Sequence, residues 1–270
     1  MFLLEGGYNF EMEENQRRNK KIVIAVIFFL IVGGLGFLIY RSVVPPAPEQ
    51  TPNPTVNLAP LQVVSTQLFN VQNNDYDFLA KISNSNSNYG SGDVEYTLTF
   101  YSAAGQQVST KAGSFYILPG QTKYIIDSPL KFEQPVSRAD MQIKSVDWQK
   151  LDPLSASGVA LLVKNATFLQ VNQSGTFAKA GGEVFNSSDF DLNKVDVALV
   201  LLDQTETPIA INKTEIRTFL ARTTRGFEAT WFAPFVGQTN RVDAEASTNV
   251  FENSNFLRTY GGGEKFKQLY

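Results

Sequence analysis

The sequence predicts an all-β protein: two tandem antiparallel β-sandwiches preceded by one N-terminal transmembrane α-helix. Three observations carry that prediction. Residues 22–40 form an uncharged apolar run, IVIAVIFFLIVGGLGFLIY. Val94 to Phe100 alternates apolar and polar residues with period two, and Val195, Val197, Leu199 and Leu201 repeat the pattern. Turn-rich stretches punctuate everything after residue 60, and no segment there shows a 3.6-residue amphipathic period.

Residues 1–21 read as a cytoplasmic stub that carries Arg17, Arg18, Lys20 and Lys21 just before the apolar run. At about 1.5 Å per residue, a helix over 22–40 covers roughly the thickness of a bilayer's hydrocarbon core. A helix satisfies its backbone polar groups internally, as lipid requires. Four basic residues precede the run and only Arg41 follows it closely, so the positive-inside bias predicts a cytoplasmic N-terminus and an extracytoplasmic bulk. The run exceeds the apolar core of a cleaved signal peptide and ends in Phe37-Leu38-Ile39-Tyr40-Arg41, a poor cleavage site, so an uncleaved anchor is expected. Gly33, Gly34 and Gly36 do not form a small-xxx-small pair, which leaves no close-packed dimerisation face.

Residues 41–60 form a linker with prolines at 45, 46, 48, 52, 54 and 60, a composition that favours extended polyproline II. The first sandwich is predicted over 61–152 and the second over 158–258. The tail, 259–270, opens on Gly261-Gly262-Gly263. Matching segments fix the duplication. Ile82-Ser83-Asn84-Ser85 faces Val184-Phe185-Asn186-Ser187, and Leu118-Pro119-Gly120-Gln121-Thr122 faces Leu220-Ala221-Arg222-Thr223-Thr224. Six or seven short strands per copy suit a two-sheet sandwich, immunoglobulin-like in the loose sense, because the cysteine pair and central tryptophan of that fold are missing.

The strand Leu98-Thr99-Phe100-Tyr101-Ser102, its counterpart Leu199-Val200-Leu201-Leu202-Asp203, the Gly105-Gln106-Gln107-Val108 hairpin and the Leu118–Thr122 turn resemble small bacterial FxLYD-type sandwiches. Those are similar to the late-embryogenesis-abundant-type β-sandwich. Both copies place Leu where that motif has its leading Phe, and the second lacks both turn glycines. The layout resembles single-pass envelope proteins of bacteria. The resemblance implies a fold; it brings no catalytic residue or cofactor.

Composition narrows the chemistry. The chain has 270 residues, no histidine and no cysteine. Disulfides, thiolate chemistry and the commonest general base are therefore absent, and the lack of cysteine favours a prokaryotic envelope protein. A net charge of −3 without a basic stripe argues against nucleic-acid binding. No G-x-S-x-G or S-x-x-K motif occurs, and short-strand sandwiches are expected to offer no obvious cleft, so an enzyme is not expected. The acidic pairs Asp75/Asp77, Asp93/Glu95 and Asp189/Asp191 read as turn residues rather than as a calcium site, so no metal or cofactor is expected. Asn165, Asn172, Asn186 and Asn212 each open an N-x-[ST] triplet.

Partner contacts are expected in two places. Trp231, Phe232 and Phe235 crowd one strand of the second copy. Val200 and Leu202 add apolar residues to the second face of its central strand, which implies cover by the first copy or by another protein. The resulting expectation is a non-enzymatic binding or scaffolding protein of the cell envelope. It would contact lipid through 22–40 and an envelope protein through its sandwiches. The alternatives are a glycan or cell-wall binding module and an accessory subunit of a membrane-embedded secretion or pilus-type complex.

Overall fold

The computed structural model describes residues 6–43, 57–151 and 159–257. Most of the proline-rich linker, the junction at 152–158 and the glycine-rich tail lie outside the described residues. The chain divides into two compact units, Met1–Asn57 and Leu58–Tyr270.

The first unit is one helix, α1 (Gly6–Val43), which contains the apolar stretch Arg17–Leu38. It is longer than the predicted 22–40 at both ends. The preceding MEENQRRNKK is rich in Glu, Gln, Arg and Lys, which propagate a helix readily, so the turns continue out of the apolar run into the stub. All the large apolar side chains described, from Ile22 to Tyr40, are exposed, the surface expected of a lipid-facing span.

The second unit is all β. Its first half holds β1 (Gln62–Gln72), β2 (Asp75–Ser83), β3 (Tyr89–Tyr101), β4 (Gln107–Ile117), β5 (Thr122–Lys131) and β6 (Arg138–Lys150). Its second half holds β7 (Leu161–Gln173), β8 (Thr176–Asn186), β9 (Leu192–Leu202), β10 (Pro208–Phe219), β11 (Thr224–Trp231) and β12 (Arg241–Ser247). The sheets are β1-β2-β5 with β4-β3-β6, then β7-β8-β11 with β10-β9-β12, all antiparallel. Each half is a two-sheet sandwich, and the second repeats the strand pairing of the first.

Period two sorts each strand. In β2, Tyr76, Phe78, Ala80 and Ile82 enter the first core with Val94, Leu98 and Phe100 of β3. In β9, Val195, Val197, Leu199 and Leu201 enter the second core with Ala178, Ala180 and Val184 of β8. Each fully buried methylene contributes about 0.8 kcal/mol, which fixes the register, since a one-residue slip would turn these faces outward.

A buried asparagine recurs at the end of β2 and β8. The Asn84 amide donates to the carbonyls of Tyr89 (2.7 Å) and Leu118 (2.9 Å), and its Oδ1 accepts from the Asn86 N–H. The Asn186 amide donates to Phe190 O (2.9 Å), Leu220 O (3.2 Å) and Phe219 O (3.4 Å). Each side chain thus ties the turn after its own strand to the turn two strands later. Asn86 also exchanges two hydrogen bonds with the backbone of Ala59, which pins the described end of the linker.

The turns also repeat, with different residues. Gly105 (φ +76°) and Gly120 (φ +64°) take left-handed conformations in the first copy. Glu206 (φ +60°) and Arg222 (φ +58°) do so in the second, where a Cβ makes that region costly.

The two sandwiches pack sheet to sheet. The outer face of β1-β2-β5 meets the outer face of β10-β9-β12, where Leu79 and Ile126 are buried against Val200, Leu202 and Ile211. The unit is therefore four sheets deep.

Candidate functional site

The inter-sandwich interface explains a difference between the copies. The outward residues of β3 are Thr97, Thr99 and Tyr101, and their counterparts in β9 are Ala198, Val200 and Leu202. The polar set borders solvent; the apolar set lies under sheet β1-β2-β5, with Val200 fully buried. The face carrying Val200 and Leu202 is thus occupied by the first sandwich and is not left for an outside partner. The other side shows the same logic, which sequence reasoning missed. Leu79 stands where the second copy has Gly181, and Ile126 where it has Glu228. Comparing the copies residue by residue would have revealed that covered face.

Polar groups rim this apolar centre. The Tyr124 hydroxyl donates to Asp243 Oδ2 (2.9 Å), and the Tyr124 N–H donates to Glu245 Oε2 (3.1 Å). The Tyr116 hydroxyl donates to Asp196 Oδ2 (3.0 Å), the Gln67 amide to Pro208 O (2.9 Å) and the Lys213 ammonium to Ile126 O (3.1 Å). Lys123 is buried, with its Nζ 3.0 Å from Tyr116 O and 3.6 Å from the centre of that ring.

Burial pushes the Lys123 amine down to about 8, against the opposing pull of Glu245 and Asp196. Burial also raises the Glu245 carboxyl, and Lys123 partly offsets this. The Tyr116 phenol is driven well up by burial and then by Asp196. Tyr124 is pushed up to about 12 by burial and then by its bond to Asp243. The Tyr116 and Tyr124 donors and the Asp196, Asp243 and Glu245 carboxylates hydrogen-bond across the interface and so tie the sandwiches together, while the buried Lys123 is only partly compensated.

Clefts open where the sandwiches meet, contrary to the expectation of none, and two of them are lined by the ionisable residues above and by the predicted aromatic cluster. Neither belongs to one sandwich alone, which is why strand patterns did not reveal them. One, of about 760 Å³, is polar and is bordered by Tyr116, Lys123, Asp127, Lys194, Asp196 and Lys213. Its charges are largely spoken for: Lys194 pairs with Asp196 at 3.0 Å and Lys111 with Asp127 at 2.7 Å.

The other cleft, of about 600 Å³, lies at the opposite pole of the first sandwich from the start of β1. One wall comes from the β1–β2 turn region (Phe69 to Gln72, Asp75 to Asp77) with Ser128 and Pro129. The other comes from Ile209 to Asn212 and the segment Thr230 to Val236. Trp231 is buried, and its indole N–H donates to Ile211 O (3.0 Å). Phe235 is half-buried and packs on Phe168, Phe177 and Trp231. Phe232 is 75% exposed and Val236 is 94% exposed, at the lip. Of the predicted aromatic cluster, Trp231 and Phe235 therefore build the wall and Phe232 faces solvent.

Asp77 Oδ1 accepts a hydrogen bond from the Ser128 hydroxyl, and burial raises its carboxyl above the ordinary range. No group of three or more metal-ligating side chains occurs among the described residues. Of the acidic pairs read as turn residues only Asp189 and Asp191 lie in a connection, where Asp191 Oδ1 accepts from the Ala221 N–H and Asp189 pairs with Arg222; Asp75 and Asp77 lie in β2 and Asp93 and Glu95 in β3, because the strands extend further than the turn-rich letters suggested. Asn186, one of the N-x-[ST] triplets, is fully buried by its staple. Arg17, Arg18, Lys20 and Lys21 are exposed on α1, and Arg41 falls in its last turn.

No protein-family model matches the chain, and no curated protein matches it. Among solved structures, a similarity to the transglutaminase of red sea bream has a TM-score of 0.22 at 11% identity. It covers 70% of this chain and 29% of that protein, so the chain spans under a third of that enzyme's length.

Proposed function

We propose that this is a membrane-anchored, non-enzymatic binding or scaffolding protein of a bacterial cell envelope. In this reading α1 crosses the cytoplasmic membrane with its basic flank inside, and the two immunoglobulin-like sandwiches stand outside as one body. The observation that carries it is the exposed apolar lip at Phe232 and Val236. Among the described residues they are the most exposed large apolar ones outside the helix, and they border a cleft that only the assembled pair of sandwiches creates. The interface tyrosines and carboxylates support the same reading, because they are engaged in holding that pair together rather than poised on a substrate.

A wall-polymer reading draws on Phe232 alone, since Trp231 is buried and offers no free stacking face. The test is affinity capture of the full chain from crosslinked membranes, with deletion of its gene alongside. Recovery of a defined envelope protein is expected. Capture of no partner at any salt concentration, together with an unaltered envelope on deletion, overturns the proposal. Replacing residues 22–40 with an unrelated span should leave partner capture intact. Loss of capture would instead favour an accessory subunit whose helix packs within a membrane complex.

A further inference from the structure

We infer that the apolar cleft beside Phe232 binds a segment of a partner protein that carries an apolar side chain next to a lysine or arginine. This deepens the binding reading above and rests on it. The apolar part follows from the wall: Phe69, Ile209, Trp231 and Phe235 present aromatic and aliphatic surface, and Phe232 and Val236 extend it into solvent. Exposed aromatics over a preformed apolar cleft are the usual anchor points of a protein interface.

The basic part follows from charge. Among the described residues the charged ones bordering the cleft are Asp75 and Asp77, both acidic; Asp75 is paired with Lys131 at 3.7 Å, just outside the lining, which leaves Asp77 as the carboxylate without an ion-pair partner. Asp77 is the desolvated one. Ser128 satisfies its Oδ1, while its Oδ2 takes no protein hydrogen bond among the described residues. Lys213 is close enough to act on it electrostatically but spends its ammonium on Ile126 O. A cation arriving with the ligand restores what burial costs this carboxylate, whereas an acidic ligand sets a second carboxylate against it. The polar side chains of Asn70 and Gln72 stand at the same wall and suit the amides of an extended peptide.

The test uses the full chain in nanodiscs of zwitterionic lipid, with empty nanodiscs as the blank. The probe is a fluorescent peptide Leu-Lys-Phe-Lys-Leu, and its partner is Leu-Glu-Phe-Glu-Leu. Anisotropy should show binding of the basic peptide at least tenfold tighter than the acidic one. Asp77→Asn, which can still accept from Ser128, should weaken the basic peptide at least fivefold. Val236→Ser, a change at a side chain outside the core, should weaken both peptides.

Absence of binding, equal affinity for the two peptides, or affinity unchanged by Asp77→Asn overturns the inference. Sensitivity to Val236→Ser alone overturns its basic specificity. If membrane capture recovers the same partner with wild type and with the Asp77→Asn/Val236→Ser double variant, this site falls while the scaffolding reading stands.

Discussion

Asn186→Ala tests how the second sandwich is tied together. The side chain is fully buried, and its amide serves the carbonyls of Phe190, Phe219 and Leu220 while Oδ1 accepts from the Ser188 N–H (3.1 Å) and hydroxyl (2.6 Å). Alanine removes all of these at once. Leu220 O keeps the Thr223 hydroxyl as a donor, so not every acceptor is orphaned. With each buried group left unpaired costing about 1–3 kcal/mol, the loss comes to about 3 kcal/mol. For a body of this size that lowers Tm by about 6–12 °C.

The chain contains two tryptophans, Trp148 in β6 and Trp231 in β11, one per sandwich. In a Trp148→Phe background, Trp231 emission follows the second sandwich during heating of the nanodisc-bound chain. Asn186→Asp sharpens the test. It keeps Oδ1 but sets a second carboxylate oxygen against the carbonyls, so at neutral pH it should destabilise more than alanine and recover as the pH falls. A Tm drop under about 2 °C for Asn186→Ala, or an aspartate variant as stable as wild type at neutral pH, would refute the staple.

Three further outcomes follow from the same structure. Between pH 8 and pH 10 stability should rise by about 2 kcal/mol, because Lys123 titrates at about 8 when folded and at 10.5 when unfolded, so the unfolded chain binds more protons across that window. Urea midpoints should show the rise, and Lys123→Met should abolish it; above pH 10 Tyr96 and the half-buried Tyr124, held up to about 12, reverse the trend. Gly120→Ala should cost about 1 kcal/mol at a left-handed turn with open space around it, whereas Arg222→Gly at the matching turn should gain roughly 0.5–1 kcal/mol, both read as shifts in urea midpoint. Ile211→Ala should cost about 3 kcal/mol by opening a cavity between the sandwiches, and the melting curves reported by Trp148 and Trp231 should then separate; curves that stay coincident would mean the interface does not couple them.

Particular residues show how far sequence reasoning reached. The alternation in Val94–Phe100 and Val195–Leu201 placed both central strands, because burial of one face imposes a period of two. The Asn84/Asn186 match marked the duplication, and the structure supplies its cause, a buried amide that spans two turns. The turns of the second copy were harder to read. Glu206 and Arg222 occupy left-handed positions without the glycine that would have announced them. Val200 and Leu202 were legible as a covered face but not as to what covers it. Leu79 and Ile126, the cover itself, look like ordinary strand residues until they are set against Gly181 and Glu228.

By itself the sequence determined the local features: an apolar helix of membrane-spanning length, a period-two β body, its duplication, and the absence of histidine and cysteine chemistry. These depend on neighbours in the chain, whose spacing is visible in one dimension. Only the tertiary structure decided which two of four outer sheet faces meet, that Trp231 is wall and Phe232 is lip, and that Asp77 shares a cleft with residues more than 150 positions away. Desolvation and complementarity act between surfaces brought together by folding, and sequence spacing does not encode that proximity.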